Sequence, residues 1–420
     1  MCCGFPNLNL FKTDMSAPFY IDKNSLWQAH EICMVNKKST TNAVLFRIQD
    51  KEEIESLYES ISSGTYYPGT SIAFITENRE VFAANYKDRV VHTWASERMV
   101  PLLEQQLIPN TFNCRKGKGV LAAIASLREQ IRILSNNYTK RVWIMIYDLS
   151  GFFMNIDREK AARRLCRFIE DRYTGEDKET LLWITRTIIT HAPEKDCVRM
   201  GDIHAWDSLP ERKSLFYHPG LPIGNLPSQL DANLELDIVD HYVSGLFYYD
   251  RYADDSVMVS ENKEDLLNAM PKIREMLKLS CGAVVNPKKY KLIPSDQGFK
   301  YLGVIINKDK AYPSGRTVGR AYDVIRHYNK KKNKEYHASD FMSKLNSYLG
   351  LMKHFDTDET RAWLISKIDT EWFKYIKAGE QNEKITLVKK PRTIIKNHIR
   401  SRKCFFNQLK YSIRHANITS

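Results

Sequence analysis

The chain has 420 residues, 43% of them hydrophobic, with 63 Lys and Arg against 50 Asp and Glu, a net charge of +13. That length and apolar content build one or more real cores and exclude a disordered chain. No apolar run approaches the ~20 residues of a membrane helix, and MCCGFPNLNLFKTDMS at the start lacks the regions of a secretory signal, so a cytoplasmic protein without a membrane partner is expected. The eight cysteines form no C-x-x-C pair and have no histidine at zinc spacing, which suits free thiols in a reducing compartment. The positive excess attracts polyanions, and 22 tyrosines offer surfaces on which bases can stack.

Residues 1–70 form an N-terminal helical extension in which NSLWQAHEICMVNKK and DKEEIESLYESISSGTYYPG both have helical spacing. SIAFITENREVFAANYKDRVVHTW reads as a two-stranded hairpin turning at Glu77-Asn78-Arg79, with helical spacing from Thr93 to Gln106. CRKGKG at 114–119 is a basic bend before the helix VLAAIASLREQIRIL, and RVWIMIYDLSGFF is an apolar strand ending at Asp148. Residues 158–190 are helical, and 193–219 is a polar β-excursion or ordered loop. The helix NLPSQLDANLELDIVDHYV, the hairpin FYYDRYADDSVMVS, the helix KEDLLNAMPKIREMLKL and the strand KYLGVIIN follow. Residues 320–380 are helical and basic, and an extension at 381–420 is dense in Lys and Arg.

The middle of the chain therefore predicts an α+β fold, an antiparallel sheet with helices on one face. Asp148 closes one buried strand, and Asp254 and Asp255 sit at the tip of a hairpin that can pair beside it. An isolated Asp-Asp pair is an ordinary turn. Three carboxylates brought together would instead repel one another and raise their pKa values. Divalent metal with oxygen ligands relieves that conflict, and two such ions clamp both oxygens of an in-line phosphoryl displacement.

Y-A-D-D after an apolar strand, with D-L-S-G-F-F upstream, resembles the palm of a reverse transcriptase. RKGKG, IYDLSGFFMNID, WDSLPERKSLF, GLPIGNLPSQ, RYADD and KYLGVII occur in that family's order over roughly residues 75–350. REVFAANYKDRVVH, CRKGKG, WDSLPERKSLF and GLPIGNLPSQ look most like the bacterial diversity-generating-retroelement branch and related phage-defence enzymes. The resemblance implies a right-hand polymerase with fingers at 71–145, a palm at 146–310 and an α-helical thumb at 320–380. It implies an RNA-directed DNA polymerase that uses dNTPs and two Mg²⁺ ions, with Mn²⁺ able to substitute. A structured non-coding RNA would be template or scaffold and DNA the product, with an accessory protein or self-association as further partners. A catalytically inactive RNA-binding protein on the same fold is the alternative.

By the same resemblance Asp148, Asp254 and Asp255 are the catalytic metal ligands, with Leu149 counted in the metal set. Phe153, five residues after Asp148, matches the aromatic that excludes a 2′-hydroxyl, and Phe152 is its core-packed neighbour. In GLPIGNLPSQ, Gly220 and Gly224 permit close backbone approach, while Ile223, Asn225 and Gln229 face nucleotide or template. Ile223 stands where better-known reverse transcriptases carry Gln. Arg79 matches the triphosphate-gripping arginine, with Arg89 on the same hairpin. Lys116 and Lys118 would meet template phosphates, and Tyr252 the primer end. Lys289 in NPKKYK matches a lysine near the leaving pyrophosphate, with Lys288 and Lys291 as neighbouring candidates. His191 and Cys197 read as structural.

Overall fold

The computed structural model describes residues 19–35, 41–76, 79–218 and 220–388. The chain divides into two compact units, one ending at Pro294 and the other starting at Ser295. The described residues of the first unit begin with three helices, α1 (Lys23–Met34), α2 (Thr41–Ile48) and α3 (Asp50–Ser62). The Asp22 side chain caps α1 by accepting the Asn24 N–H. Leu26, Ala29, Phe46, Ile54, Leu57 and Ile61 are buried in one cluster with Val90, Val91 and Trp94 of the helix that follows the first hairpin.

That hairpin is shorter than its sequence suggested. β1 (Ser71–Thr76) pairs antiparallel with β2 (Arg79–Ala83), and α4 (Tyr86–Gln106) begins where strand was expected to continue. Asn85 sets the boundary, its side chain accepting the Asp88 N–H as a helix cap. Arg89 therefore lies on α4 rather than on the hairpin, with Nε donating to the Ala84 carbonyl at 2.9 Å. The turn expected at Glu77-Asn78 lies outside the described residues, and Arg79 opens β2 opposite Thr76.

Helix α5 (Val120–Leu134) leads into β3 (Trp143–Asp148), followed by the short α6 (Phe152–Asn155), α7 (Arg158–Arg172) and α8 (Lys178–Thr190). The excursion holds β4 (Cys197–Met200), which joins β1 in parallel to complete a β2-β1-β4 sheet, and α9 (Ile203–Asp207). Next come α10 (Leu226–Ser244), β5 (Tyr248–Tyr252), β6 (Asp255–Ser260), α11 (Lys263–Cys281) and β7 (Lys291–Pro294). β5-β6-β3-β7 is a fully antiparallel sheet. Tyr249 and Arg251 meet Asp240 of α10, whereas the intervening Asp250 meets Ser126 and Gln130 of α5, as the two-residue side-chain period of a strand requires.

In the second unit KYLGVIIN is two strands rather than one. Leu302 and Gly303 take φ of +46° and +84° and turn β8 (Phe299–Tyr301) into β9 (Val304–Asn307), which pairs on with β10 (Lys310–Pro313). The fourth strand of Asp148's sheet is instead β7, from KLIP. Helices α12 (Gly315–Asn329), α13 (Lys334–Met352) and α14 (Asp358–Ser366) enclose their own core, where Phe341 stacks on Tyr328 with ring centroids 5.0 Å apart. β11 (Ile376–Ala378) and β12 (Ile385–Leu387) pair as an antiparallel ribbon. Most of the basic extension, from 389 onward, lies outside the described residues. Among the described residues Cys33, Cys114, Cys166, Cys197 and Cys281 are free thiols, and no helix is long and apolar enough to cross a membrane.

Candidate active site

β3 delivers Asp148 to the sheet's end, directly across from Asp255 in the β3–β6 register. β5 stops at Tyr252 and β6 starts at Asp255, leaving Ala253-Asp254 as a two-residue turn. Ala253 has φ +55°, a conformation that glycine usually supplies in such turns. The guanidinium of Arg251 lies under this turn, donating from Nη1 to the Ala253 carbonyl at 3.1 Å and from Nε to Asp240 at 2.8 and 2.9 Å. Carboxylate oxygens of Asp148, Asp254 and Asp255 fall within 4.8 Å of one another.

Crowding shows in the electrostatics. Burial raises the Asp255 carboxyl to about 6, with the charges of Asp254 and Asp148 adding to it. Asp254 is raised as well, first by burial and then by Asp148. Lys289 Nζ partly offsets the negative charge, lying 2.9 Å from Asp148 Oδ2. Burial works against the Lys289 ammonium, but the Asp148 hydrogen bond and the three carboxylates outweigh it and raise its pKa. Asn286 adds a second donor to Asp148 Oδ2 at 3.3 Å. Three converging carboxylate donors, with Asp254 and Asp255 raised in pKa, suit a hard divalent cation, which favours the charged forms.

Beside the carboxylates is a cavity of about 280 Å³ lined by Arg79, Asp148, Leu149, Phe152, Phe153, Ile223, Asp254 and Lys289. Gly151, at φ +56°, turns the chain from β3 into α6 and sets the two phenylalanines edge to face, 5.8 Å between centroids. Phe152 is 3% exposed and belongs to the core, while Phe153 is half-buried at the cavity wall. The GLPIGN loop is pinned on both sides. Leu221 N–H donates to the Phe153 carbonyl at 2.8 Å and Phe82 N–H to the Ile223 carbonyl at 2.9 Å. A Cβ on Gly220 would sit 2.3 Å from the Phe153 oxygen, and one on Gly224 would sit 2.8 Å from the Phe82 oxygen.

Residues 76–306, more than half the chain, match the family model described as reverse transcriptase (RNA-dependent DNA polymerase). The chain belongs to the reverse transcriptase family. Among solved structures, an apo telomerase from Candida tropicalis truncated from its C-terminal domain is similar at 13% identity and TM-score 0.40, over 59% of this chain and 55% of that one. Telomerase from Candida albicans, with a TWJ fragment of telomeric RNA, is similar at 11% identity and TM-score 0.40, over 73% and 56%. The chain thus spans little more than half the length of these structures. No curated protein matches the sequence.

Other residues singled out in this reverse transcriptase stand outside the cavity lining. Arg89 is held on α4, and Gln229 accepts from the Cys114 thiol at 3.8 Å. Lys118 Nζ donates to the Pro109 carbonyl at 2.6 Å over the Phe112 ring, whereas Lys116 is exposed. Asn225 is the residue before α10, and Tyr252 is half-buried opposite Asp255. His191 is half-buried at the end of α8 and packs edge-on against Tyr67, while Cys197 sits on β4.

Four supports were missed by sequence reasoning. Lys213 lines the cavity. Glu80 is buried, its carboxylate accepting from Leu215 N–H at 2.7 Å and Ser214 Oγ at 3.0 Å, which ties β2 to the excursion. Arg158, paired in the interior with Glu194 at 2.9 Å, donates from Nε to the Gly220 carbonyl at 2.5 Å. Arg251 is the fourth. Nothing in their spacing separates these charges from surface ones; WDSLPERKSLF was the only pointer to Lys213.

Proposed function

We propose that the protein is an RNA-directed DNA polymerase that copies a dedicated structured non-coding RNA into cDNA. The observation that carries this reading is the convergence of Asp148, Asp254 and Asp255 beside the cavity that Phe153 borders. Those three acids, with Leu149 beside them, would hold a pair of Mg²⁺ ions, with Mn²⁺ able to substitute. When bound, the ions stabilise the attacking and leaving oxygens of phosphoryl transfer.

The chain's own groups divide the remaining work. Arg79, Lys213 and Lys289 surround the cavity with positive charge suited to a triphosphate. Lys289 Nζ, held protonated by its acidic neighbours, is the proton source for the leaving pyrophosphate oxygen. The Phe153 ring occupies the space a 2′-hydroxyl would need and so selects dNTPs. Ile223 offers the incoming nucleotide no hydrogen bond, which relaxes base selection. Lys116, Lys118, Asn225, Gln229, Arg89 and Tyr252 form the nucleic-acid track. The helices at 320–380 serve as the thumb, residues 71–145 as the fingers and 146–310 as the palm. The setting is the cytoplasm, in a phage-defence system or a diversity-generating retroelement, with an accessory protein or self-association completing the complex.

The test is to purify the protein with its bound RNA, supply dNTPs or rNTPs with Mg²⁺, and sequence the product. DNA synthesis from dNTPs alone supports the reading. Adenine-directed errors then favour gene diversification, and accurate or repetitive cDNA favours defence. Tight RNA binding with no incorporation on any template would contradict it and return the inactive RNA-binding alternative.

A further inference from the structure

A second cavity, of about 470 Å³, adjoins the first, and the two share Gly151, Met154, Lys213 and Asn286 in their walls. Among the described residues its lining includes Arg212, Lys213, His218 and Lys288 and no Asp or Glu. The two cavities divide by their acids. Glu80, Asp148 and Asp254 line the first beside Arg79, Lys213 and Lys289, whereas three fixed cations and an imidazole line the second.

One short turn makes this division. Pro287–Lys289 is a single 3₁₀ turn whose start is fixed by Asn286, the side chain accepting the Lys288 N–H at 3.1 Å and donating to Asp148 Oδ2 at 3.3 Å. Consecutive lysines on that turn serve different cavities. Lys289 pairs with Asp148 in the first, and Lys288 lines the second. Lys213 lines both. An anion leaving the first cavity therefore meets positive charge continuously as it passes into the second. Several cations without a carboxylate among them favour a ligand of more than one negative charge.

We propose that this second cavity is a polyphosphate site that receives the pyrophosphate released by nucleotide incorporation. The assignment rests on the polymerase reading for the source of its ligand, and on the cavity alone for the ligand's chemistry. The acid-free wall gives it a property the catalytic cavity lacks: it binds pyrophosphate without a divalent metal. At the catalytic cavity Glu80, Asp148 and Asp254 offset the three cations until a divalent cation intervenes.

The experiment is calorimetric titration of sodium pyrophosphate into the full chain in EDTA at physiological salt. Arg212→Ala/Lys288→Ala and Asp254→Asn/Asp255→Asn are the comparison variants. The wild type and the Asp variant bind, and the Arg212/Lys288 variant binds about tenfold more weakly, with about 1.4 kcal/mol lost. In Mg²⁺, the pyrophosphate concentration that halves dNTP incorporation also rises about tenfold in that variant. Absence of metal-free binding by the wild type, or equal binding by all three proteins, overturns the assignment. An equal rise in KM for dNTP would place the incoming triphosphate there instead. A loss of affinity for a short RNA with pyrophosphate binding intact would make it a backbone-phosphate site; either result refutes the proposal. If no nucleotide is incorporated but metal-free binding follows the expected pattern, the polyphosphate site stands and the polymerase reading falls.

Discussion

Arg251 is the most informative residue to perturb, because one guanidinium joins the fold's interior to the Ala253-Asp254 turn. It is 1% exposed and Asp240 is fully buried. Three of its hydrogen bonds reach Asp240, at 2.5–2.9 Å, and others reach Asn233 Oδ1 and the Ala253 carbonyl. Arg251→Met leaves the Asp240 carboxylate buried with the Tyr249 hydroxyl, at 2.9 Å, still donating to it. Breaking a buried pair from one side costs about 3–5 kcal/mol. At roughly 2–4 °C per kcal/mol for a unit of this size, the melting point falls by roughly 10 °C. Arg251→Met/Asp240→Leu removes both charges together and returns most of that stability. Both variants lose the bond to Ala253, so nucleotide incorporation stays slow in the double variant although it is folded. Calorimetric melting and single-turnover incorporation on the pair decide the matter. Equal melting points for single and double variants, or wild-type turnover in the double, would show that Arg251 does not couple the buried pair to the turn.

The carboxylate cluster links stability to pH and metal. Asp255 is raised from 3.8 to about 6 in the folded chain, so between those values the folded state keeps a proton that the unfolded state releases. Stability of the metal-free protein therefore falls across that window, by on the order of 3 kcal/mol. In EDTA, Asp255→Asn should melt higher than wild type at pH 7.5 and alike at pH 4, and Mg²⁺ should stabilise the wild type more than the variant; thermal melts with and without Mg²⁺ read both. Gly220→Ala forces a Cβ to within 2.3 Å of the Phe153 oxygen, and the displaced Phe153 should raise KM for dNTP in steady-state assays. Phe153→Ala opens the cavity wall, and competition assays should show dNTP preference over rNTP falling on the order of 10–100-fold.

What the sequence carried well was whatever its local pattern had to explain. Two adjacent acids in an apolar hairpin, and a third at an apolar strand's end, have few other reasons to exist, and Asp148 and Asp255 stand in register. VLAAIASLREQIRIL has a clear apolar stripe, and α5 spans Val120–Leu134 as expected. The start of α4 was hidden because Val90, Val91 and His92 are buried in succession; such a run lacks a helical stripe and imitates a strand. β7 escaped notice as four residues ending in Pro294, and its place beside β3 is a tertiary fact. Long-range partners account for the rest. Glu80 finds Leu215, Arg158 finds Gly220, and β4 finds β1 across stretches no local period can encode.

The proposed function assigns metal-dependent DNA synthesis to Asp148, Asp254 and Asp255. Extension of a primed RNA template with dNTPs, by wild type and by Asp254→Ala/Asp255→Ala, tests it most directly, with RNA binding by both measured in parallel. The wild type should give Mg²⁺-dependent DNA product, the variant none, and both should retain RNA binding. Equal product from the two proteins would contradict it.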